Sequence, residues 1–570
     1  MKSLDTLRYS GRTGLLAVLL FVGVAHAADR VPGFAVASAH PAATAAGIEI
    51  LQAGGNAFDA AVAISAAIAV TEPTGSGIGG GGFWLLHRAD GFETMIDGRE
   101  VAPINAEADM YLDANGKAIP EKSRDGPLAA AIPGEPAALE HLARKYGKLP
   151  LGQSLAPAIR LAREGFPVDS KLAKAISQHA SRLSPAAAAI YAPSGMPIPE
   201  GGALVQTDLG AAIERIAQFG HQGFYIGDFG AKLVDGVRAA GGIWTEDDLR
   251  HYRLVERAPT VTYFRDYRVV SAPPPSAGGV GLSQMLQMLE MLGWPASTVG
   301  ESRHLVIETM RRAYRDRAAY LGDPDQLRMP IVKMTSRSYL RGLADSIDHQ
   351  RATPSSALDP AQTGTEGNNT THFSVIDAQG NRVAATLSVN LPFGSGFMVP
   401  GTGVLLNDEM DDFSAAPGQP NAYGLVGSIP NAIAPGKRPL SSMSPTFVEG
   451  PRGVAILGTP GGSRIITMVL LGVLGFTEGL DASQVATLPR YHHQYLPDQV
   501  EFEPLAWTDA EQKELLEMGH NLKALKHTYG NMQVVIWRRD QNKLEAAADP
   551  RAVGAAQVMS PTPLPEQSIH

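Results

Sequence analysis

Two adjacent threonines, Thr370 and Thr371, stand where the polar stretch "HQRATPSSALDPAQTGTEGNN" gives way to "TTHFSVIDAQGNRVAATLSVN". A loop of about twenty residues with almost no apolar content runs into alternating apolar and polar positions, so the threonines mark a loop-to-strand junction. Threonine suits a pleated surface, and a strand start accounts for both residues without any chemistry. A second reading assigns them chemistry. A threonine hydroxyl is a weak nucleophile and needs a base close by. Were the peptide bond between Asn369 and Thr370 cut, the new α-amino group would sit beside that hydroxyl on the same residue. Its ordinary pKa of about 7.7–8.0 leaves much of it neutral at working pH, so one scission creates nucleophile and base together.

Other chemistries lack their signatures. The chain has no cysteine, which excludes disulfides, thiolate metal sites and cysteine nucleophiles. His492 and His493 are neighbours whose side chains would diverge on a strand, and no H-E-x-x-H occurs, so no metal site is expected. The serine-hydrolase patterns G-x-S-x-G and S-x-x-K are absent; "GGSR" at 461–464 lacks the closing glycine. "GSGIGGGGF" contains Gly77-x-Gly79-x-x-Gly82, formally a dinucleotide fingerprint. It follows a helical pattern and opens a hairpin, the reverse of what nucleotide binding needs, and reads as tight backbone packing. No cofactor is expected.

The elements that must hold such residues follow from periodicity. Two Ala-rich helices, broken at Gly54-Gly55-Asn56, precede a hairpin turning near Asp90-Gly91. Helical spacing dominates from about 135 to 348, as in "SLAPAIRLAREGF" and "SRHLVIETMRRAYRDRAAYLG". Strands follow: 371–378 with 382–389, then "PTFVEG" with "GVAILG", then the apolar helix "RIITMVLLGVLGF". Helices towards the N-terminal side and strands towards the C-terminal side suggest an α+β fold of sheets covered by helices.

Hydrophobic content of 44% and charged content of 18% are those of a globular chain, and a net charge of −9 without a Lys/Arg block argues against nucleic acid. Residues 1–27 read as a signal peptide: a basic leader, an apolar stretch from Gly14 to Val24, then Ala25-His26-Ala27. That stretch is about half of the roughly 20 residues a membrane span needs, and no later one is long enough. A periplasmic or secreted mature protein without a membrane span is expected.

The segment from Thr370 to Asn390 also closely resembles the start of the small subunit of γ-glutamyltranspeptidases, a branch of the N-terminal nucleophile hydrolases. "TEPTGSGIGGGGF", "DGREVAP", "LLNDEMDDFS", "PGKRPLSSMSPT" and "GTPGGSRIIT" resemble that family's signatures, in the family's order. The resemblance implies a four-layer αββα sandwich, one domain built from a large chain of 28–369 and a small chain of 370–570. It implies that Thr370 cuts its own chain and then serves as nucleophile, and that Ser388, at a position usually threonine, hydrogen-bonds it. Gly461 and Gly462 match the oxyanion-hole amides. Arg99 matches the arginine that binds the α-carboxylate of a γ-glutamyl group, with Ser441 and Ser442 as hydroxyl partners. Asn390, Glu409 and Asp412 match the groups that hold its α-ammonium, and Tyr423 matches a gating aromatic in a lid loop, "SAAPGQPNAYGLVG". The implied activity is that of a γ-glutamyltransferase and glutathione hydrolase. A γ-glutamyl-threonine ester forms and passes its acyl group to water or to amino acids and peptides, with no cofactor or metal. A related acylase of glutaryl β-lactam amides is the alternative; a binding protein whose threonine is never unmasked is another, from a different class.

Overall fold

A computed structural model describes residues 30–358, 369–414 and 428–560. The change of pattern at the two threonines is the start of a strand, Asn369–Ile376, which turns over 377–381 and returns as Arg382–Asn390. Asp377 makes the turn: one carboxylate oxygen accepts from the backbone N–H groups of Gln379 and Asn381, while the other accepts from Ala57 N at 3.0 Å. That second bond pins the hairpin to the helix Ala57–Thr71. Asn56 and Asp59 begin this helix with a reciprocal capping box, and all its residues are buried, as an Ala-rich helix apolar on every side must be.

Two antiparallel sheets lie face to face. One has seven strands in the order Ala555–Met559, Phe34–Ser38, Asn369–Ile376, Arg382–Asn390, Gly81–His87, Glu93–Gly98 and Val255–Arg257. The other has six: Lys543–Ala548, Gln533–Arg538, Gly453–Gly458, Thr446–Gly450, Tyr267–Ser271 and Thr260–Phe264. The predicted segregation of helices and strands along the chain is only partial, because both sheets combine strands from either side of Thr370. Hydrogen bonding in a sheet is indifferent to sequence distance, so the chain segments before and after the junction share each sheet. The described residues from Val31 onward cluster as one unit.

Alternation assigns the strand faces. Trp84, Leu86, Phe373, Val375 and Leu387 pack with the helices Ala57–Thr71, Glu135–Tyr146, Leu151–Glu164 and Thr207–Phe219. Phe83, Leu85, Ile376 and Ala384 face the second sheet, whose far side carries Gly278–Met291, Val299–Tyr320 and Ile465–Thr477. The layers are helix, sheet, sheet, helix, the αββα sandwich expected from the resemblance. No helix among the described residues is long and apolar enough to cross a membrane.

Candidate active site

Thr370 is half-buried and directly opposite Ser388 in the central hairpin. By parity it shares its face with His372, Ser374 and Ile376, the face turned to the second sheet. The ladder is irregular here: Thr370 pairs Ser388, but Asn369 pairs Asn390, so Val389 is an extra residue. Such bulges re-aim side chains next to reactive groups. Asn390 takes φ of 76°, a left-handed value unusual outside glycine. Its backbone N–H donates to the Ser388 hydroxyl at 2.8 Å, and that hydroxyl donates to the Asn369 carbonyl at 3.2 Å. In the uncut chain the Ser388 hydroxyl is therefore on the carbonyl of the bond predicted to break.

Arg99 lies buried at the end of the strand Glu93–Gly98. Its Nη1 donates to Glu409 at 2.6 Å and reaches Glu100 at 3.4 Å, its Nη2 donates to Asp412, and its Nε donates to the Pro439 carbonyl at 3.2 Å. Glu409 and Asp412 open and close a short 3₁₀ turn, in which residues three apart share a face. One guanidinium thus meets three buried carboxyl groups, and burial sets their chemistry. It pushes Glu100 and Glu409 up to about 8, with Arg99 opposing the rise, while the acidic partners hold Arg99 firmly charged. Asn390 takes a different partner: its Nδ2 donates to the backbone and side chain of Asp408, at 3.0 and 3.3 Å. Asp408 is next in the chain to Glu409, so its hold on Asn390 ties the Arg99 cluster to the strand end that carries Ser388.

Ser441 and Ser442 follow Pro439. The Ser441 backbone is held by Pro275 O and Ala277 N, each at 2.8 Å, and its hydroxyl accepts from Met443 N at 3.1 Å. The Ser442 hydroxyl is buried and has no hydrogen-bond partner among the described residues. Gly461 and Gly462, with φ of 143° and 57°, lead into the helix Ile465–Thr477. They follow the strand Gly453–Gly458, whose last residue touches the His372 ring: a Cβ on Gly458 would stand 2.3 Å from it. The glycine pair is thereby carried to the same end of the sandwich as Thr370. Tyr423 and the segment 415–427 lie outside the described residues. The glycine run 77–82 packs backbone on backbone; a Cβ at Gly79 would stand 2.0 Å from Leu405 O and one at Gly80 2.2 Å from Ser388 O.

Two sets of buried groups pull stability in opposite directions with pH. Burial holds His372, His492 and His520 at about 3 and His493 at about 4, against an ordinary 6.5. The unfolded chain binds more protons in that window, so their contribution is lost as pH falls from 6.5. Glu100 and Glu409, at about 8 against an ordinary 4.5, keep protons that the unfolded chain has released, so their contribution is lost as pH rises from 4.5. The two effects oppose one another between these values. Below 4.5 only losses remain, joined by Glu93, Glu308 and Glu501, whose cationic partners hold them well below the usual range. The melting temperature is expected to peak between about pH 4.5 and 6.5; a value still climbing at pH 8 contradicts this balance.

Residues 43–559 match the sequence profile of the Gamma-glutamyltranspeptidase family. The chain belongs to the γ-glutamyltranspeptidase family. The glutathione hydrolase proenzyme of Escherichia coli (strain K12) is 42% identical over 526 residues, which cover 91% of this chain and 90% of that protein. The acylase ACY 1 proenzyme of Pseudomonas sp. (strain V22) is 35% identical, covering 92% and 93%. Among solved structures, a cephalosporin acylase from Bacillus halodurans superposes with a TM-score of 0.82 at 26% identity, over 99% of this chain and 100% of that one. The protein is an enzyme of the γ-glutamyltranspeptidase family with the N-terminal nucleophile hydrolase fold.

Several residues of this γ-glutamyltranspeptidase site escape sequence reasoning. Asn407 supports the acidic turn, accepting from Ala131 N and Glu409 N at 3.0 Å each, and Asp408 clamps Asn390. Glu135, fully buried and pushed well above the usual carboxylate range, accepts from the Ser76 hydroxyl at 3.2 Å. By residue type alone a run such as "NDEMDD" fits a solvated turn as well as a binding site; that all of it is buried is visible only after folding.

Proposed function

We propose that the enzyme hydrolyses glutathione and transfers γ-glutamyl groups through Thr370. The observation that carries this reading is the joining of two arrangements: a threonine opposite a hydroxyl that touches the Asn369 carbonyl, and a buried Arg99 already paired with Glu409 and Asp412. In self-cleavage the Thr370 hydroxyl attacks the Asn369 carbonyl carbon while Ser388 donates to the oxygen that gains charge. The C–N bond breaks, the nitrogen takes a proton and becomes the Thr370 amine, and water opens the resulting ester, leaving chains of 28–369 and 370–570 that stay together as a heterodimer. In turnover that amine takes the hydroxyl proton and passes it to the leaving amine as the γ-glutamyl ester forms. The Gly461 and Gly462 amides face the developing oxyanion, and water, an amino acid or a peptide then accepts the acyl group. Residues 1–27 direct export to the periplasm or beyond, and Tyr423 gates the donor pocket.

The charge balance supports γ-glutamyl over glutaryl donors. A desolvated pocket with one guanidinium and three carboxyl groups balances its charge by keeping protons on Glu100 and Glu409, and an α-ammonium can replace those protons. A zwitterionic donor replaces the internal pairing: its carboxylate takes Arg99, and its ammonium takes Glu409 and Asp412. A glutaryl group has only the carboxylate and would leave the acidic pair facing like charge. Turnover of γ-glutamyl-p-nitroanilide against glutaryl-p-nitroanilide, with N-terminal sequencing of the smaller fragment, tests the reading. The small chain is expected to start Thr-Thr-His-Phe-Ser; equal turnover of the two anilides favours the acylase reading.

Ser442 gives a separable check. Its hydroxyl is buried without a partner, and an unsatisfied buried hydroxyl costs about 1–3 kcal/mol. Ser442→Ala is therefore expected to leave the melting temperature unchanged or raised, yet to raise KM for the donor about tenfold, the worth of one hydrogen bond to a charged group. A loss of stability with KM unchanged assigns Ser442 to packing instead.

A further inference from the structure

Self-cleavage turns Thr370 from an internal residue into a chain end, and chain ends fray unless tied down. The ladder supplies little help on one side. Towards the Ser388 strand, pairing begins at Asn369, but towards the neighbouring strand Phe34–Ser38 it begins only at Phe373, opposite Ser38. Residues 370–372 thus have a strand partner on one edge alone.

A second support stands behind them. Thr371 points to the opposite face from Thr370, and its hydroxyl donates to Glu72 Oε2 at 2.8 Å, with both residues buried. The other oxygen, Glu72 Oε1, pairs with Lys171 Nζ at 3.4 Å, which fixes the carboxylate's orientation. Glu72 is the C-cap residue of the fully buried helix Ala57–Thr71, so it is mounted on a rigid element. Its backbone carbonyl accepts from Gly75 N and Ser76 N, and the turn so formed backs onto the nucleophile strand: a Cβ on Gly75 would stand 3.2 Å from Thr370 O.

We propose that Glu72 is a positioning residue that, through the Thr371 hydroxyl, clamps the strand from behind and holds Thr370 in register for self-cleavage and for attack on the donor. The proposal rests on the reading of Thr370 as nucleophile. A hydroxyl given to a carboxylate is among the stronger hydrogen bonds, and a small misplacement of a reacting atom is costly in rate, so the clamp acts on turnover and not on donor affinity.

Four variants test it, following precursor cleavage on denaturing gels and kcat and KM with γ-glutamyl-p-nitroanilide. Thr371→Val keeps the shape and removes the hydroxyl; it is expected to slow cleavage and to lower kcat about tenfold each, the factor one buried hydrogen bond supplies, with KM within about twofold. Thr371→Ser restores the hydroxyl and is expected to run within about twofold of wild type. Glu72→Ala is expected to match Thr371→Val, and the double variant to be no slower than either single, since both remove the same contact. Thr371→Val at wild-type rates, in a chain correctly cut before Thr370, overturns the clamp alone. Thr371→Ser as slow as Thr371→Val does so too, because packing and not the hydroxyl would then matter. A wild-type small chain starting elsewhere than Thr370 overturns both the clamp and the reading beneath it.

Discussion

Thr370→Ala is expected to leave the chain as one uncut polypeptide and to lower γ-glutamyl-p-nitroanilide turnover by about four orders of magnitude or more, the loss typical when a nucleophile is removed from a working constellation. Alanine removes the hydroxyl that both steps require, so processing and catalysis disappear together. Thr370→Ser keeps the hydroxyl beside the same amine and is expected to cut itself and turn over, more slowly because the lost methyl frees the side-chain torsion of a half-buried residue. The Ser388 hydroxyl, 3.2 Å from the Asn369 carbonyl, should remain in place in both variants, because its other contact is the Asn390 N–H and not Thr370. Denaturing gels and single-turnover kinetics on the two variants decide the matter. A Thr370→Ala protein that still separates into two fragments and consumes glutathione at the normal rate would remove the nucleophile from this position.

The second large effect concerns Arg99. Its guanidinium holds Glu409 and Asp412 at once, in a pocket where all three side chains are buried. Arg99→Ala removes the one cation from a buried acidic cluster, and breaking a buried pair in this way costs about 3–5 kcal/mol, so poor folding is the expected result and says little about binding. Arg99→Lys is the informative change. It keeps the positive charge, and so most of the stability, but a single ammonium cannot hold two carboxylates and a donor carboxylate in the fixed fork of a guanidinium. KM for the γ-glutamyl donor is expected to rise about a hundredfold while kcat changes far less, the pattern of lost ground-state binding, on a scale of about 2–3 kcal/mol. Wild-type KM in Arg99→Lys would remove Arg99 from the donor pocket. A fall in kcat alone would place it nearer the reacting bond than the geometry does.

Much of the fold could be read locally. The strand beginning at Asn369, the turn at 377–381, the capped all-buried helix after Asn56 and the hairpin around "GPRG" each follow from patterns only a few residues long. The glycine run 77–82 was also legible as backbone packing, because its neighbours were of the wrong kind for a nucleotide. The segregation of helices and strands along the chain gave the layered α+β class but not the strand order, since every strand's partners are a matter of pairing and not of position.

The sequence by itself determined that a hydroxyl would stand at a loop-to-strand junction, that no thiol or recognisable metal motif competes with it, and that Thr370 and Thr371 would face opposite sides of their sheet. Alternation has a period of two residues, so a short stretch carries that information in full. Only the tertiary structure decided what fills each side. Arg99 meets Glu409 and Asp412 across more than three hundred residues, and Thr371 meets Glu72 across nearly as many. Those contacts exist because two sheets and their helices close around a shared core, and the burial that results, not the residue types alone, turns acidic side chains into a dry pocket that keeps protons on Glu100 and Glu409.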